Sequence, residues 1–209
     1  MAIRLAVLVS GRGTTLANLL DRINEGQLDA EVAVVISNRP NVLALNLAEL
    51  ANLPAHVVDK DADEELGAKV FQICREANVD LVVLAGFLRF VKIPDDFVGK
   101  VMNIHPSLIP AFCGHGYYGS RVHAGVLERG CKVSGCTVHF ADNHEYDHGP
   151  IVLQRVVPVL EGDTPESLQQ RVFEAECEAF PQAIQLFAEG RLSVEDGRVR
   201  VRRDPSGGS

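Results

Sequence analysis

The sequence predicts an α/β fold with a Rossmann-like, mostly parallel sheet and helices on both of its faces. Three observations carry that prediction. The runs at 3–9, 31–36 and 80–85 are dense in Val, Leu and Ile and show no polar alternation, as strands buried on both faces do. Segments of helical apolar spacing separate these runs, and strand–helix alternation of that kind builds right-handed β-α-β units. Glycines and short polar turns mark the joins, with no internal repeat, no interior linker and no low-complexity block.

In order, the first strand (3–9) enters the tight turn Ser10-Gly11-Arg12-Gly13-Thr14-Thr15, which opens a helix over Leu16, Leu19, Leu20 and Ile23. A second strand is predicted over 31–36 and a helix over 42–50. A short third strand (55–58) and a helix (63–77) follow. The fourth strand is 80–85, and the fifth starts at Lys100 and ends at Asn103 and His105, because Pro106 cannot continue a central strand. The expected order of these five is 3-2-1-4-5, with the topological switch between strands one and four. Ligands of such sheets sit outside the carboxyl ends of the strands, where the loops 11–15, 86–89 and 103–107 would converge.

Beyond strand five the pattern changes. Residues 120–128 read as a helix stopped by Gly130. The runs 134–141 and 151–159 alternate in polarity and are expected to extend the sheet as a strand pair. Thr164-Pro165 is an N-cap followed by a first-turn proline and opens a long helix to Phe187. A small terminal hairpin over 192–201 turns at Asp196-Gly197.

The 209 residues suit one full-sized domain, expected over 1–203, with a flexible tail at 204–209. Apolar residues make up 46% and charged ones 23%, the balance of a packed globular protein. A net charge of −8 without a basic cluster argues against nucleic acid as a partner. The first apolar run is short, contains Arg4 and stops at Ser10-Gly11, so it reads as a buried strand and not a signal peptide. No stretch reaches membrane-spanning length. Five cysteines without a C-x-x-C pair point to reduced thiols and a cytoplasmic location. The seven histidines show no i,i+4 pairing on a predicted helix, since His144 and His148 stand four apart only in a loop, and Cys131 to Cys136 is not a zinc spacing, so no metal is expected.

Four local signals carry chemistry. Asn103 and His105, two apart on a strand, share a face, with Ile104 turned to the core. An amide and an imidazole there can hold an oxyanion and handle a proton, or simply satisfy nearby backbone. The Gly11-x-Gly13 turn offers backbone N–H groups and a helix dipole to a phosphate, with Thr14 and Thr15 adding hydroxyls. Its dinucleotide fingerprint is incomplete, since Leu16 stands where a third glycine belongs; Arg39, after strand two, keeps an NADP-dependent reductase as a rival. Asp147, in Tyr146-Asp147-His148-Gly149-Pro150, can orient and charge His105 if its loop folds over the strand edge, or be an ordinary turn aspartate. Glu176 interrupts the apolar i+4 row Leu168, Val172, Phe180 and Ile184, so it faces a polar cavity, a ligand cation or an internal ion pair.

Together these residues resemble the folate-dependent phosphoribosylglycinamide formyltransferases. The likeness lies in Val9-Ser10-Gly11-Arg12-Gly13-Thr14-Thr15-Leu16, Leu84-Ala85-Gly86-Phe87-Leu88-Arg89 and Met102-Asn103-Ile104-His105-Pro106-Ser107-Leu108-Ile109-Pro110. It continues in Thr137-Val138-His139-Phe140 and Asp147-His148-Gly149-Pro150-Ile151-Val152-Leu153-Gln154. The resemblance implies formyl transfer from 10-formyltetrahydrofolate, as co-substrate, to glycinamide ribonucleotide, with Asn103, His105 and Asp147 catalytic and no metal. It assigns Gly11, Arg12, Gly13, Thr14, Thr15, Pro106 and Glu176 to the ribonucleotide. To the folate it assigns Leu84, Phe87, Leu88, Arg89, Phe90, Asn103, Phe140, Ala141, Asp142 and Asp147. A homodimer is left open.

The family commonly has Asn where Thr15 stands, and the loop 112–120 is longer than its usual version. Rivals remain. A formyltetrahydrofolate hydrolase shares the trio but usually carries a regulatory domain ahead of it. A methionyl-tRNA formyltransferase adds a tRNA-binding domain and basic surface; a non-catalytic nucleotide sensor would need the turn but neither His105 nor Asp147.

Overall fold

The structure, a computed structural model, describes residues 2–60 and 62–203; the tail expected at 204–209 lies outside the described residues. The chain clusters into two compact units, Met1–Asn103 and Ile104–Ser209.

The first unit runs β1 (Ile3–Val9), α1 (Thr14–Asn24), β2 (Ala30–Ser37), α2 (Leu43–Leu50), β3 (Ala55–Val57), α3 (Asp63–Glu76) and β4 (Leu81–Leu84), and enters β5 (Val101–His105). Strand β1 pairs in parallel with β2 on one side and β4 on the other, β2 with β3, and β4 with β5, which is the predicted 3-2-1-4-5 order. Leu5 through Val9 and Leu81 through Val83 are fully buried, so the unbroken apolar runs have water on neither face. Each buried Val or Leu among them contributes roughly 1.5–3 kcal/mol. The sequence reading passed over one element, a single 3₁₀ turn at Asp95–Phe97. It brings Phe97 onto Phe71 with ring centroids 4.8 Å apart.

The second unit contains α4 (Ser120–Glu128), β6 (Val133–Phe140), β7 (Ile151–Pro158), α5 (Pro165–Ala188) and the ribbon β8 (Leu192–Glu195) and β9 (Arg198–Val201). Strands β6 and β7 are antiparallel, with the register slipping between Val138 and His139. Helix α5 opens with a full capping box: the Ser167 N–H donates to the Thr164 hydroxyl and the Thr164 N–H to the Ser167 hydroxyl. Its row Leu168, Val172, Phe180 and Ile184 is fully buried. The hairpin turns through Asp196 and Gly197, both at positive φ, as a two-residue type I′ connection requires. Strand order reads β3-β2-β1-β4-β5-β6-β7, with β8-β9 separate.

Alternating polarity in β6 does not mean alternating exposure: Thr137 and His139 are as buried as Val138 and Phe140. Buried polar side chains on a strand need partners, and those partners build the site.

Candidate functional site

In the first unit the turn after β1 is closed by its own backbone. Gly13 caps α1 at φ 79°, and a Cβ there would stand 2.8 Å from Ala44 Cα, because the start of α2 packs on the turn. The Ala44 N–H donates to the Gly11 carbonyl at 3.1 Å. No side chain caps α1, which leaves its first N–H groups and positive dipole end for an anion. Gly11, Arg12 and Thr14 are exposed and Thr15 is half-buried.

Behind that turn lies a brace that sequence reading missed. The buried Ser10 hydroxyl donates to Asn38 Oδ1 at 2.6 Å and accepts from the Leu88 N–H at 2.9 Å, tying the ends of β1 and β2 to the loop after β4. A polar residue at the end of each of two buried strands was its only signal in the sequence. Of the residues expected near the folate, Phe87 is buried, Leu88 is exposed, and Leu84 and Phe90 are intermediate. The Arg89 guanidinium is committed to Asp63 at the start of α3, at 2.7 and 3.2 Å. Asn103 is half-buried on β5, on the face opposite Ile104.

In the second unit His105 ends β5 with its side chain 5% exposed, and Asp147, 10% exposed, reaches it from the loop between β6 and β7. Asp147 Oδ2 lies 3.2 Å from His105 Nδ1. On the other ring nitrogen, Nε2 is 2.9 Å from the Phe112 carbonyl, an acceptor only. Burial alone would lower the His105 pKa, but the Asp147 carboxylate, the Phe112 carbonyl and the charge of Glu176 prevail and raise it. Burial pushes the Asp147 carboxyl up; hydrogen bonds from His105 and His139, the imidazolium charge and the Gly114 N–H outweigh it and hold the group well below the ordinary range. The contact with the Asp147 carboxylate thus favours the charged form of His105.

His139 is a second histidine on Asp147, its Nε2 3.7 Å from Oδ1 and its Nδ1 2.9 Å from the Phe140 carbonyl. It was read as a polar position of an alternating strand and as part of a matching segment, with no role at the site. The register slip beside it is the kind of irregularity that re-aims a side chain, and a slip of that kind is invisible in polarity alternation. Thr137 is the other concealed organiser. Its buried hydroxyl donates to the Ser107 carbonyl at 2.7 Å and accepts from the Ile109 N–H at 3.0 Å and the Gln154 amide at 2.9 Å. That network fastens the segment leaving β5 after Pro106, which is half-buried. Glu176 keeps slight access to solvent in its apolar row, and burial pushes its carboxyl up to about 7, with His105 pulling it down.

Phe140 is buried at the end of β6, and Ala141 and Asp142 follow it half-buried. The Asp142 carboxylate accepts from the His144 N–H at 3.0 Å and pairs with His148 Nδ1 at 2.8 Å. Among the described residues no group of three or more His, Cys, Asp or Glu side chains is arranged to hold a metal ion, and no helix is long and apolar enough to cross a membrane.

A mostly parallel, Rossmann-like sheet places the chain among the α/β proteins whose ligands bind outside the carboxyl ends of the strands. The chain belongs to the formyl transferase family, whose pattern matches residues 3–184. It is 37% identical over 198 residues to the phosphoribosylglycinamide formyltransferase of Haemophilus influenzae, covering 92% of this chain and 91% of that one. It is 42% identical over 203 residues to the trifunctional purine biosynthetic protein adenosine-3 of Gallus gallus, where the match covers 94% of this chain. The chain spans only about a fifth of the length of the trifunctional vertebrate relatives it matches. The crystal structure of glycinamide ribonucleotide transformylase 1 from Symbiobacterium toebii superimposes with a TM-score of 0.86 at 42% identity, covering 96% of this chain and 94% of that one.

Proposed function

We propose that this protein transfers the formyl group of 10-formyltetrahydrofolate to the amine of 5′-phosphoribosylglycinamide, a step of de novo purine biosynthesis. The observation that carries the reading is the buried His105–Asp147 contact at 3.2 Å, which shifts the His105 pKa upward. The names of the similar proteins support the choice of substrates.

In this reading the glycinamide amine attacks the formyl carbon and a tetrahedral oxyanion forms. Asn103 and the His105 imidazolium donate hydrogen bonds to it, stabilisation of the kind that contributes most to acyl transfer. The carbon–nitrogen bond to the folate then breaks, and the proton lost by the attacking amine reaches the departing folate nitrogen, with Asp147 guiding its transfer through water. No covalent intermediate on the protein and no metal takes part. Gly11, Arg12, Gly13, Thr14 and Thr15 receive the substrate phosphate with Pro106 nearby, and Glu176 meets the ribose or glycyl end. Leu84, Phe87, Leu88, Phe90, Phe140, Ala141 and Asp142 flank the folate; Arg89, held by Asp63, shapes that wall through its stem. The reading carries with it one catalytic domain over 1–203, a cytoplasmic location that suits free cysteines, and a homodimer as the assembly to test.

The test is to mix the protein with 10-formyltetrahydrofolate, with and without glycinamide ribonucleotide, and follow folate product. Product that depends on the nucleotide supports the transferase. Product without it makes the protein a hydrolase, and nucleotide binding without any product makes it a sensor. His105→Ala is expected to abolish turnover while leaving nucleotide affinity, measured by calorimetry, nearly intact; equal loss of both would make His105 structural.

A further inference from the structure

The loop 112–120 has no role in the chemistry above, yet its backbone touches both members of the acid–base pair. The Phe112 carbonyl accepts from His105 Nε2 at 2.9 Å, and two residues on the Gly114 N–H donates to Asp147 Oδ2 at 3.0 Å. Asp147 Oδ2 is also the atom that faces His105 Nδ1 at 3.2 Å. These contacts close a ring: imidazole, Phe112 carbonyl, Gly114 amide, carboxylate, imidazole.

The conformation that closes it is an unusual one. Phe112 lies at φ 51°, a region that aromatic residues avoid, and Gly114 at φ 85°. What holds Phe112 there is packing. Its ring meets Tyr117 edge-on at 6.0 Å, and both rings rest on α4 over Gly125, where a Cβ would come within 3.3 Å of the Phe112 ring and 3.5 Å of Tyr117. Tyr117 in turn is fastened by its N–H to the Gly114 carbonyl at 3.1 Å.

We propose that the Phe112–Gly114 backbone is a positioning strap for the His105–Asp147 pair, holding His105 as a two-sided donor in the resting state. The inference rests on the formyl-transfer reading for its consequence in turnover, but the strap itself is a property of the free protein. A carbonyl can only accept, so Phe112 calls for a proton on Nε2 while the Asp147 carboxylate calls for one on Nδ1, and only together do they favour the doubly protonated ring over either neutral tautomer. Donation to a substrate oxygen then requires Nε2 to exchange the Phe112 carbonyl for that oxygen, which hands over a ring already charged and aligned. The charged and titratable groups facing the pair are Glu176 from α5, His123 from α4, His139 from β6 and Cys113 within the strap. His123, lowered by burial to about 4, stays neutral near pH 7, and burial together with Asp147 keeps the Cys113 thiol protonated. Glu176, its carboxyl raised to about 7, also changes charge near neutral pH, so its own titration must be followed alongside.

Two variants open the strap and leave the His105 and Asp147 side chains themselves in place. Gly114→Pro removes the N–H and cannot take φ 85°. Gly125→Leu forces the Phe112 ring off α4. The imidazole of His105 in the intact chain is followed through pH by long-range ¹H–¹⁵N spectra, with ¹³C-labelled Glu176 carboxyl as the control, and the pH profile of kcat is recorded on the same samples. In either folded variant the His105 midpoint is expected to fall by about 0.5–1 unit, the worth of one hydrogen bond. The alkaline limb of kcat should move down by the same interval. An unchanged midpoint in the folded variants overturns the strap, as does a midpoint that moves while the kcat limb stays. Were the wild-type chain to show no formyl transfer, the functional reading would fall while the spectra still decided the strap.

Discussion

Gly149→Ala perturbs the site by geometry alone, since it removes no chemical group. Gly149 is buried two residues after Asp147, and a Cβ built on it would lie 1.9 Å from the Phe140 carbonyl oxygen and 3.4 Å from the Ala141 carbonyl carbon. Ordinary carbon–oxygen contact is about 3.3 Å or more, so one backbone must retreat by about 1.4 Å. Phe140 is the less able to move. Its N–H donates to the Pro150 carbonyl at 2.9 Å, its own carbonyl accepts from His139 Nδ1 at 2.9 Å, and it ends the β6–β7 ladder. The displacement therefore falls on the segment that carries Asp147, whose backbone already sits at φ 58°. Lengthening the 3.2 Å contact to His105 by even part of that distance breaks it. Misplacement by about 1 Å costs on the order of 100-fold in a positioned reaction, and overpacking of this kind costs roughly 1–3 kcal/mol in stability. The assay is steady-state formyl transfer, followed by folate absorbance, beside a urea unfolding curve. A folded Gly149→Ala protein with kcat within about threefold of wild type would refute the claim that this glycine seats Asp147.

Two further outcomes test the energetics of the pair and of the long helix. The folded pKa of Asp147 lies below its ordinary 3.8, so its contribution is present above that value and lost as pH falls through the depressed one. The folded pKa of His105 lies above 6.5, so its contribution is complete below 6.5 and lost as pH rises through the raised one. The pair's contribution to the urea midpoint should thus be largest between about pH 4 and 6.5, while Glu176, raised to about 7, adds its own decline above about pH 4.5; Asp147→Asn should remove the pair's share and leave that of Glu176, and a variant with the wild-type profile would show that the pair adds nothing to stability. Thr164→Ala breaks the capping box of α5 and should cost about 1 kcal/mol by chemical denaturation without altering kcat, whereas no loss would mean that the Thr164–Ser167 exchange is not formed in solution.

The strands of the sheet were legible because burial on both faces leaves a one-dimensional trace. Leu5 to Val9 and Leu81 to Val83 meet water nowhere, so composition alone marks them. Helix α5 was legible from its cap and its i+4 row, and the terminal hairpin from Asp196-Gly197, because each depends on residues within one or two turns of chain. The 3₁₀ turn at Asp95–Phe97 was not, since three residues are too few to show a period. Asn103 and His105 could be put on one face from strand alternation, and Asp147 could only be offered as their partner on condition that its loop closed.

The sequence by itself determined the order of elements, the turn at Gly11–Gly13, and the side chains able to act as donor, imidazole and carboxylate. Only the tertiary structure decided that Asp147 meets His105, that His139 stands behind it, and that Thr137 fastens the chain leaving β5. It alone turned the loop at 112 back onto the imidazole. The physical reason is the range of the forces involved. Secondary structure answers to neighbours a few residues away, whereas a buried polar group accepts whatever complementary partner the packed chain brings within about 3 Å, however remote in sequence.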